Sequence, residues 1–339
     1  MEPIDNTGIL LSPPLETDYI AGDVSQIDYS VVNPSGNWSR DIPRNESQRE
    51  SRIETMACVS FSANNVIEFQ VNRMLRLNLI PPKIKATLED LNYVKENQLN
   101  LSDRFLAWKS ETTINGNYLN KVAQTVRTFG AVPEEDWPFI NEPWDIFYKK
   151  PPKEVQEKAS TFLNYFNVQY EWVSTSINPQ SIGTLEYHLK QAPLQVALAT
   201  CSPWDNFVDY CGKTGTNHAV TLHDIREDKR LDIFDHYRPY YSKSLAPGYP
   251  IPAALKILVT LKDNISMKFS KLVVSLEKEG EIYAISSNGK RHHISNYRTL
   301  LLGKEDGFWS FEKVEDLPKA SPEEWALPEG AEVHLDPHD

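Results

Sequence analysis

The stretch that most constrains this chain runs from Glu54 to Leu75. Apolar residues recur at Val59, Ala63, Val66, Ile67, Val71, Met74 and Leu75, the three-and-four spacing of a helix with a buried face. One cysteine, Cys58, stands at the mouth of that helix. A helix N-terminus carries roughly half a positive charge and unpaired N–H groups, which favour an anion. In such a place a thiol pKa falls from about 8.5 to between roughly 3.5 and 7.5, most readily beside a protonated histidine. Alone, such a cysteine is equally an ordinary core residue.

A second constraint lies far downstream. Gly215-Thr216-Asn217-His218-Ala219-Val220-Thr221-Leu222 begins with turn residues and ends in an apolar, β-branched run, which predicts a strand beginning near His218. A charged turn at 226–230 leads into Leu231-Asp232-Ile233-Phe234-Asp235, a second strand. Two adjacent strands can bring the Asp235 carboxylate to the His218 ring. Asp232 competes for that role, but the two-residue alternation of a strand puts it on the opposite face from Asp235. Thiol, imidazole and an orienting third group together make a nucleophile, its proton carrier and the device that fixes the ring.

Six short segments resemble papain-like cysteine peptidases, in that family's order. Cys58-Val59-Ser60-Phe61-Ser62 resembles the nucleophile segment, and Asn217-His218-Ala219-Val220 the histidine motif. Between them come Leu101-Ser102-Asp103 with Phe105-Leu106; Asn115-Gly116-Asn117-Tyr118; Gly130-Ala131-Val132 with Glu135 and Trp137-Pro138-Phe139; and Pro193 to Leu198. The resemblance covers about residues 43–261. It implies an α+β, papain-like two-lobed fold, a helical lobe followed by a β-barrel-like lobe with a cleft between them. It also implies Cys58 as nucleophile, His218 as base and no cofactor or metal.

Departures from the family pattern locate the uncertain helpers. The family's oxyanion-hole glutamine lies six residues before the nucleophile, where this chain has Arg52; Gln48, ten residues before Cys58, is the expected donor. Asp235 replaces the usual asparagine and Tyr237 the shielding indole. The disulfide beside the nucleophile is absent, with Thr55 and Ile114 at its positions. Gly116 and Asn117 are expected beside an extended peptide, Asn117 with a side chain that narrows the cleft. Ala219 is expected near the pocket for the second residue upstream of the scissile bond. Trp204 is either a cleft wall or a loop tryptophan packed on the surface.

A length of 339 residues predicts two domains or one with an appendage. We expect an N-terminal extension over 1–42, a peptidase domain over 43–261, a small β-rich module over 262–318 and a loosely packed acidic, Pro-rich tail over 319–339. A net charge of −12 argues against nucleic acid or anionic membrane as a partner, since both need clustered Lys and Arg. No apolar stretch approaches the ~18 residues of a membrane span, and the first fourteen residues lack the zones of a signal peptide. Three cysteines are too few for a disulfide scaffold. Cys201 and Cys211 either pair across the Trp204 loop or stay reduced, and a reducing, cytoplasmic setting is expected. His292-His293 are adjacent and lack zinc-ligand spacing. In the module, Asn288-Gly289 marks a hairpin, and the stretch 281–317, with its late aromatic Trp309, resembles appendages of bacterial and phage surface proteins. A peptide or protein is the expected substrate. The alternatives are a silent papain-fold peptide binder and a Cys–His amidase or acyltransferase acting on wall or small-molecule amides.

Overall fold

The structure, a computed structural model, describes residues 31–175, 180–213, 215–262 and 311–327, with 8–11, 13–15 and 18–20 before them. Within 269–301 it describes 269–275, 277, 280–286, 291–294, 297, 300 and 301. The helical half holds α1 (Cys58–Arg76), α2 (Pro82–Asp90), α3 (Asp103–Lys109) and α4 (Leu119–Phe129), then the short α5 (Trp144–Phe147), α6 (Lys153–Lys158) and α7 (Phe162–Tyr165). Two-residue strands tie its loops: β1 (Ile9–Leu10), β2 (Arg49–Glu50), β3 (Ile53–Glu54), β4 (Val94–Lys95), β5 (Gln98–Leu99) and β6 (Asn117–Tyr118).

The second half is built on β7 (Phe166–Ser174), α8 (Ile182–Leu189), β8 (Leu194–Leu198), β9 (Phe207–Val208), β10 (His218–Ile225), β11 (Leu231–Phe234), β12 (Ser242–Leu245) and β13 (Ala253–Leu261). Its seven strands form one sheet in the order β7-β13-β8-β10-β11-β12-β9. Helices first and a mostly antiparallel sheet second give the expected α+β class.

α1 lies between the two halves. The periodicity predicts one buried face, yet every residue of α1 except Met74 and Arg76 is buried. The reason is that its polar face meets protein rather than water. Asn64 Nδ2 donates to Asp103 on α3 at 2.8 Å, and Glu68 accepts the Leu101 N–H at 2.7 Å. On the other side Gln70 bridges the Ile257 carbonyl and the Val259 N–H of β13. A helix packed all round is the core of a two-layer molecule. Val66, Ile67, Leu106, Leu119, Val122, Trp172 and Ile257 share one apolar cluster. Truncating Ile67 there would cost about 2–5 kcal/mol.

Strand alternation divides the sheet between two cores. On β8, Ala197 faces the α1 cluster, while Leu194, Val196 and Leu198 face a second cluster with Leu185 and Leu189 of α8. Gln195, on the α1 side, donates to the Val59 carbonyl at 2.7 Å and the Ser62 hydroxyl at 2.9 Å. These bonds fix where α1 sits along the sheet.

The C-terminal part contains β14 (Phe269–Val274), β15 (Ile282–Ser286) and β16 (Arg291–His293), an antiparallel three-stranded sheet. Leu272, Ala284, Ile294 and Leu300 pack with Leu77 just past α1, so the module rests on the end of the central helix. Asn288-Gly289 and Trp309 lie outside the described residues. The tail expected to be loose is packed as far as Leu327. Val274 and Ala320 bond across a bridge at Lys319, and a helical turn at Pro322–Trp325 carries a Ser321/Glu324 capping box. Its Trp325 stacks under Arg291, 4.0 Å from the ring centroid.

Candidate active site

Cys58 is the first residue of α1 and is fully buried. The turn before it is strained, since Met56 adopts φ 54°, the left-handed region. The Met56 N–H is held by Glu54 Oε1 at 3.3 Å. Thr55 is buried, whereas Ile114 is 68% exposed.

His218 opens β10, which is held in register by β8 on one side (His218 opposite Leu198) and β11 on the other. Asp235 follows the last residue of β11. Its Oδ1 lies 2.7 Å from His218 Nε2, and both side chains are fully buried. Oδ2 accepts the Lys243 ammonium at 2.7 Å and the Trp204 indole N–H at 2.7 Å. Burial alone would raise the Asp235 pKa, but the charges of His218 and Lys243 outweigh it and hold the carboxylate well below its usual range. Asp232 instead pairs with Arg226 at 2.7 Å, as alternation requires. With Nε2 on Asp235, Nδ1 is the nitrogen that would serve a thiol.

Aromatic rings enclose this pair. Tyr237 lies 5.2 Å from His218 by ring centroid, His236 4.9 Å and Trp204 6.0 Å edge-on. Trp204, weighed as a cleft wall, is 5% exposed and seals the carboxylate. Burial, then the Glu54 charge and, further down, the Cys58 charge push the Tyr237 phenol well above its ordinary pKa. That places Tyr237 within electrostatic reach of the thiol as well as against the imidazole. Burial and the neighbouring His218 charge keep His236 uncharged well below its ordinary pKa. Ligand atoms of His218, Asp235 and His236 lie within 4.8 Å of one another, but the Lys243 ammonium on the same carboxylate opposes a cation there.

Gln48 is fully buried just before β2. Its N–H bonds the His236 carbonyl at 3.1 Å and its carbonyl accepts Thr55 N–H at 3.2 Å, tying it to both halves of the site. Arg52 points outward, paired with Glu142 at 2.8 Å.

The residues expected beside a substrate contact other parts of the chain. Asn117 does not narrow a cleft: its Nδ2 donates to the Ser110 carbonyl and hydroxyl and to Thr112, and its Oδ1 accepts Tyr118 N–H. The amide is turned inward because those partners saturate it. Ala219 is fully buried opposite Ala197 within the α1 cluster. Gly116, at φ 98°, lies against the chain's own N-terminal segment, and a Cβ on it would stand 1.9 Å from the Gly8 carbonyl oxygen. β1 runs parallel to β6, with Asn117 N–H on the Gly8 carbonyl at 2.8 Å. A Cβ on Gly8 would stand 1.9 Å from the Met56 carbonyl oxygen. Residues 8–10 therefore lie along the Gly116–Asn117 edge, two residues from Cys58.

Cys201 and Cys211 form a disulfide across the Trp204 loop, with Cα atoms 5.6 Å apart, a bond that persists in oxidising surroundings. Sequence reasoning missed Lys243, which only tertiary contact brings to the site, and gave no role to Glu54, although it opens the stretch that carries Cys58.

No family model matches the chain, and no curated protein matches it. Among solved structures it is similar to xylellain, a cysteine protease from Xylella fastidiosa, at 13% identity and TM-score 0.48, over 77% of this chain and 98% of that one. It is similar to a Trypanosoma congolense procathepsin B at 9% identity and TM-score 0.47, over 75% and 86%. Digestive procathepsin L 3 of Tenebrio molitor follows at 13% and 0.46, over 75% and 76%. No helix among the described residues is long and apolar enough to cross a membrane. Likenesses this loose decide nothing about chemistry, which rests on the geometry of Cys58, His218 and Asp235.

Proposed function

We propose that the chain is a papain-like cysteine peptidase of bacterial or phage type, with a catalytic domain over 43–261 and a small appended module over 262–318. The observation that carries this reading is the buried His218–Asp235 pair at 2.7 Å, beside a helix that begins with a buried cysteine. In the proposed reaction the Cys58 thiolate attacks a peptide carbonyl to give a tetrahedral oxyanion. Gln48 and the Cys58 N–H are its proposed donors. His218, protonated, gives its proton to the leaving amine as the C–N bond breaks. It then takes a proton from water, and the hydroxide equivalent cleaves the thioester and frees the acid and the thiol. Asp235 holds the ring through Nε2 and stabilises the imidazolium.

Peptide-library turnover by the purified chain tests this. Cys58→Ala should lose about 10⁴-fold or more of kcat, and an electrophile should label Cys58 stoichiometrically in the parent but not in His218→Ala. Turnover that survives Cys58→Ala would refute the reading. A silent peptide binder is favoured by one observation, the self-pairing of Gly8 with Asn117 on the expected substrate edge. Peptide binding without turnover, after cleavage of residues 1–20, would establish it instead.

A further inference from the structure

Beside the proposed oxyanion donor sits a carboxylate to which the sequence assigns no role. Glu54, the last residue of β3, is half-buried. Its Oε1 accepts the Gln48 side-chain amide at 2.6 Å, and its Oε2 accepts the Tyr237 hydroxyl at 2.7 Å. The same Gln48 nitrogen also donates to the Tyr237 oxygen at 2.7 Å. The three side chains thus form a closed ring of hydrogen bonds.

The direction of every bond in that ring follows from Glu54. An ionised carboxylate only accepts, so Tyr237 must donate to it, and the amide end facing it must be NH₂ rather than C=O. The Tyr237 oxygen, its hydrogen directed at Glu54, is left to accept from Gln48. Both amide protons of Gln48 are thereby engaged before any substrate arrives. To reach an oxyanion the amide must release one. The bond to Tyr237 joins two neutral groups, whereas the bond to the carboxylate is charge-assisted and roughly twice as strong. Tyr237 is the partner released, and Glu54 keeps the amide turned the right way while the other proton swings to the substrate. The hairpin supports this: Arg49 pairs with Glu54 across β2 and β3, which holds Gln48 and Glu54 on adjoining positions.

We infer that Glu54 is a positioning residue for the oxyanion donor, acting through Gln48 and not on the substrate. This inference rests on the peptidase reading. Removing an oxyanion donor costs about 10²–10³-fold in kcat; loosening one should cost less. Glu54→Ala is expected to lower kcat by about tenfold or more, with KM within about twofold, and to have no further effect in a Gln48→Ala background. Glu54→Gln, which keeps one accepting oxygen, should recover part of the loss. Exchange of the Gln48 side-chain amide protons with water, followed by NMR, should quicken about tenfold in Glu54→Ala. Equal losses in the parent and in Gln48→Ala, or an unchanged exchange rate, would overturn the inference. Parental turnover with an unaltered Glu54→Ala kcat would overturn it alone. A parent that turns over no peptide would overturn the peptidase reading together with it.

Discussion

Asp235 on one side of α1, and four acids on the other, two of them buried (Glu68, Asp103) and two half-buried (Glu46, Glu134), run in opposite chemical directions. Asp235 lies among donors and cations: His218, Lys243, Trp204 and the His236 N–H all converge on it. Glu46, Glu68, Asp103 and Glu134 lie mostly among one another on the far side of the helix. Glu46 and Asp103 hydrogen-bond carboxyl to carboxyl. Glu68 accepts Leu101 N–H at 2.7 Å and Glu134 accepts Phe139 N–H at 2.5 Å. Burial and mutual repulsion raise Glu68, Asp103 and Glu134 well above the ordinary carboxylate range, and burial raises Glu46. The same desolvation acts on both groups. What differs is whether a cation is within contact, and that decides which acid is charged and fit to orient an imidazolium.

The largest effect should come from breaking the charged group. Asp235→Ala leaves Lys243 and His218 buried without their counter-ion, which should cost about 3–5 kcal/mol of stability. It should also cost about 10⁴-fold in kcat, through loss of ring orientation. Urea unfolding and peptide kinetics read the two separately. If kcat falls less than about tenfold in a folded variant, Asp235 is a structural anion and not the orienting group.

Much of this was legible in the sequence, and what was not has a physical cause. The helix behind Cys58, the strand at His218 and the choice of Asp235 over Asp232 follow from period and alternation, which are local. Lys243 and Trp204 reach Asp235 from 8 and 31 residues away in the chain, and no period records such contacts. The inward turn of the Asn117 side chain is not legible in the sequence because it depends on three hydrogen bonds to partners within seven residues. The polar face of α1 implies water, but α3 and β13 supply complementary groups there.

A smaller effect should follow from neutralising one member of the second group. Where the folded pKa is raised above the unfolded one, the group's contribution is fully present below the unfolded pKa of about 4.3. It is lost as pH rises through the folded values. Asp235, held low, works the other way: its contribution is present above about pH 4 and is lost as pH falls. Stability should therefore peak at weakly acidic pH. Glu68→Gln keeps the oxygen that accepts Leu101 N–H and removes one ionisation. It should stabilise the chain at pH 8 by on the order of 1 kcal/mol and flatten the decline between pH 5 and 8. Thermal melts across that range check it; an unchanged slope would mean the four acids are ionised together and the contrast with Asp235 fails.

The smallest effect belongs to Asp18, a half-buried acid with no cation in contact among the described residues. Asp18 accepts Leu15 N–H, Asn120 Nδ2 and Trp172 Nε1 at 2.8–2.9 Å, and Tyr170 OH at 3.0 Å. Partial burial raises its pKa, but the Trp172, Leu15, Asn120 and Tyr170 hydrogen bonds together outweigh it and the pKa ends below the ordinary value. Neutral donors thus do here what Lys243 does for Asp235. Because Asn120 is on α4 and Trp172 on β7, the carboxylate pins the N-terminal segment across both halves of the molecule. Asp18→Ala should cost under about 1 kcal/mol globally, since the site is partly open to solvent. The segment over residues 8–15 should nevertheless be cleaved about tenfold faster in limited proteolysis. In the parent, acidification below the Asp18 pKa should raise cleavage in the same way. Equal rates in both proteins would show that the backbone bond from Trp172 N–H to the Tyr19 carbonyl holds the segment unaided, and that neutral donors do not substitute for a cation.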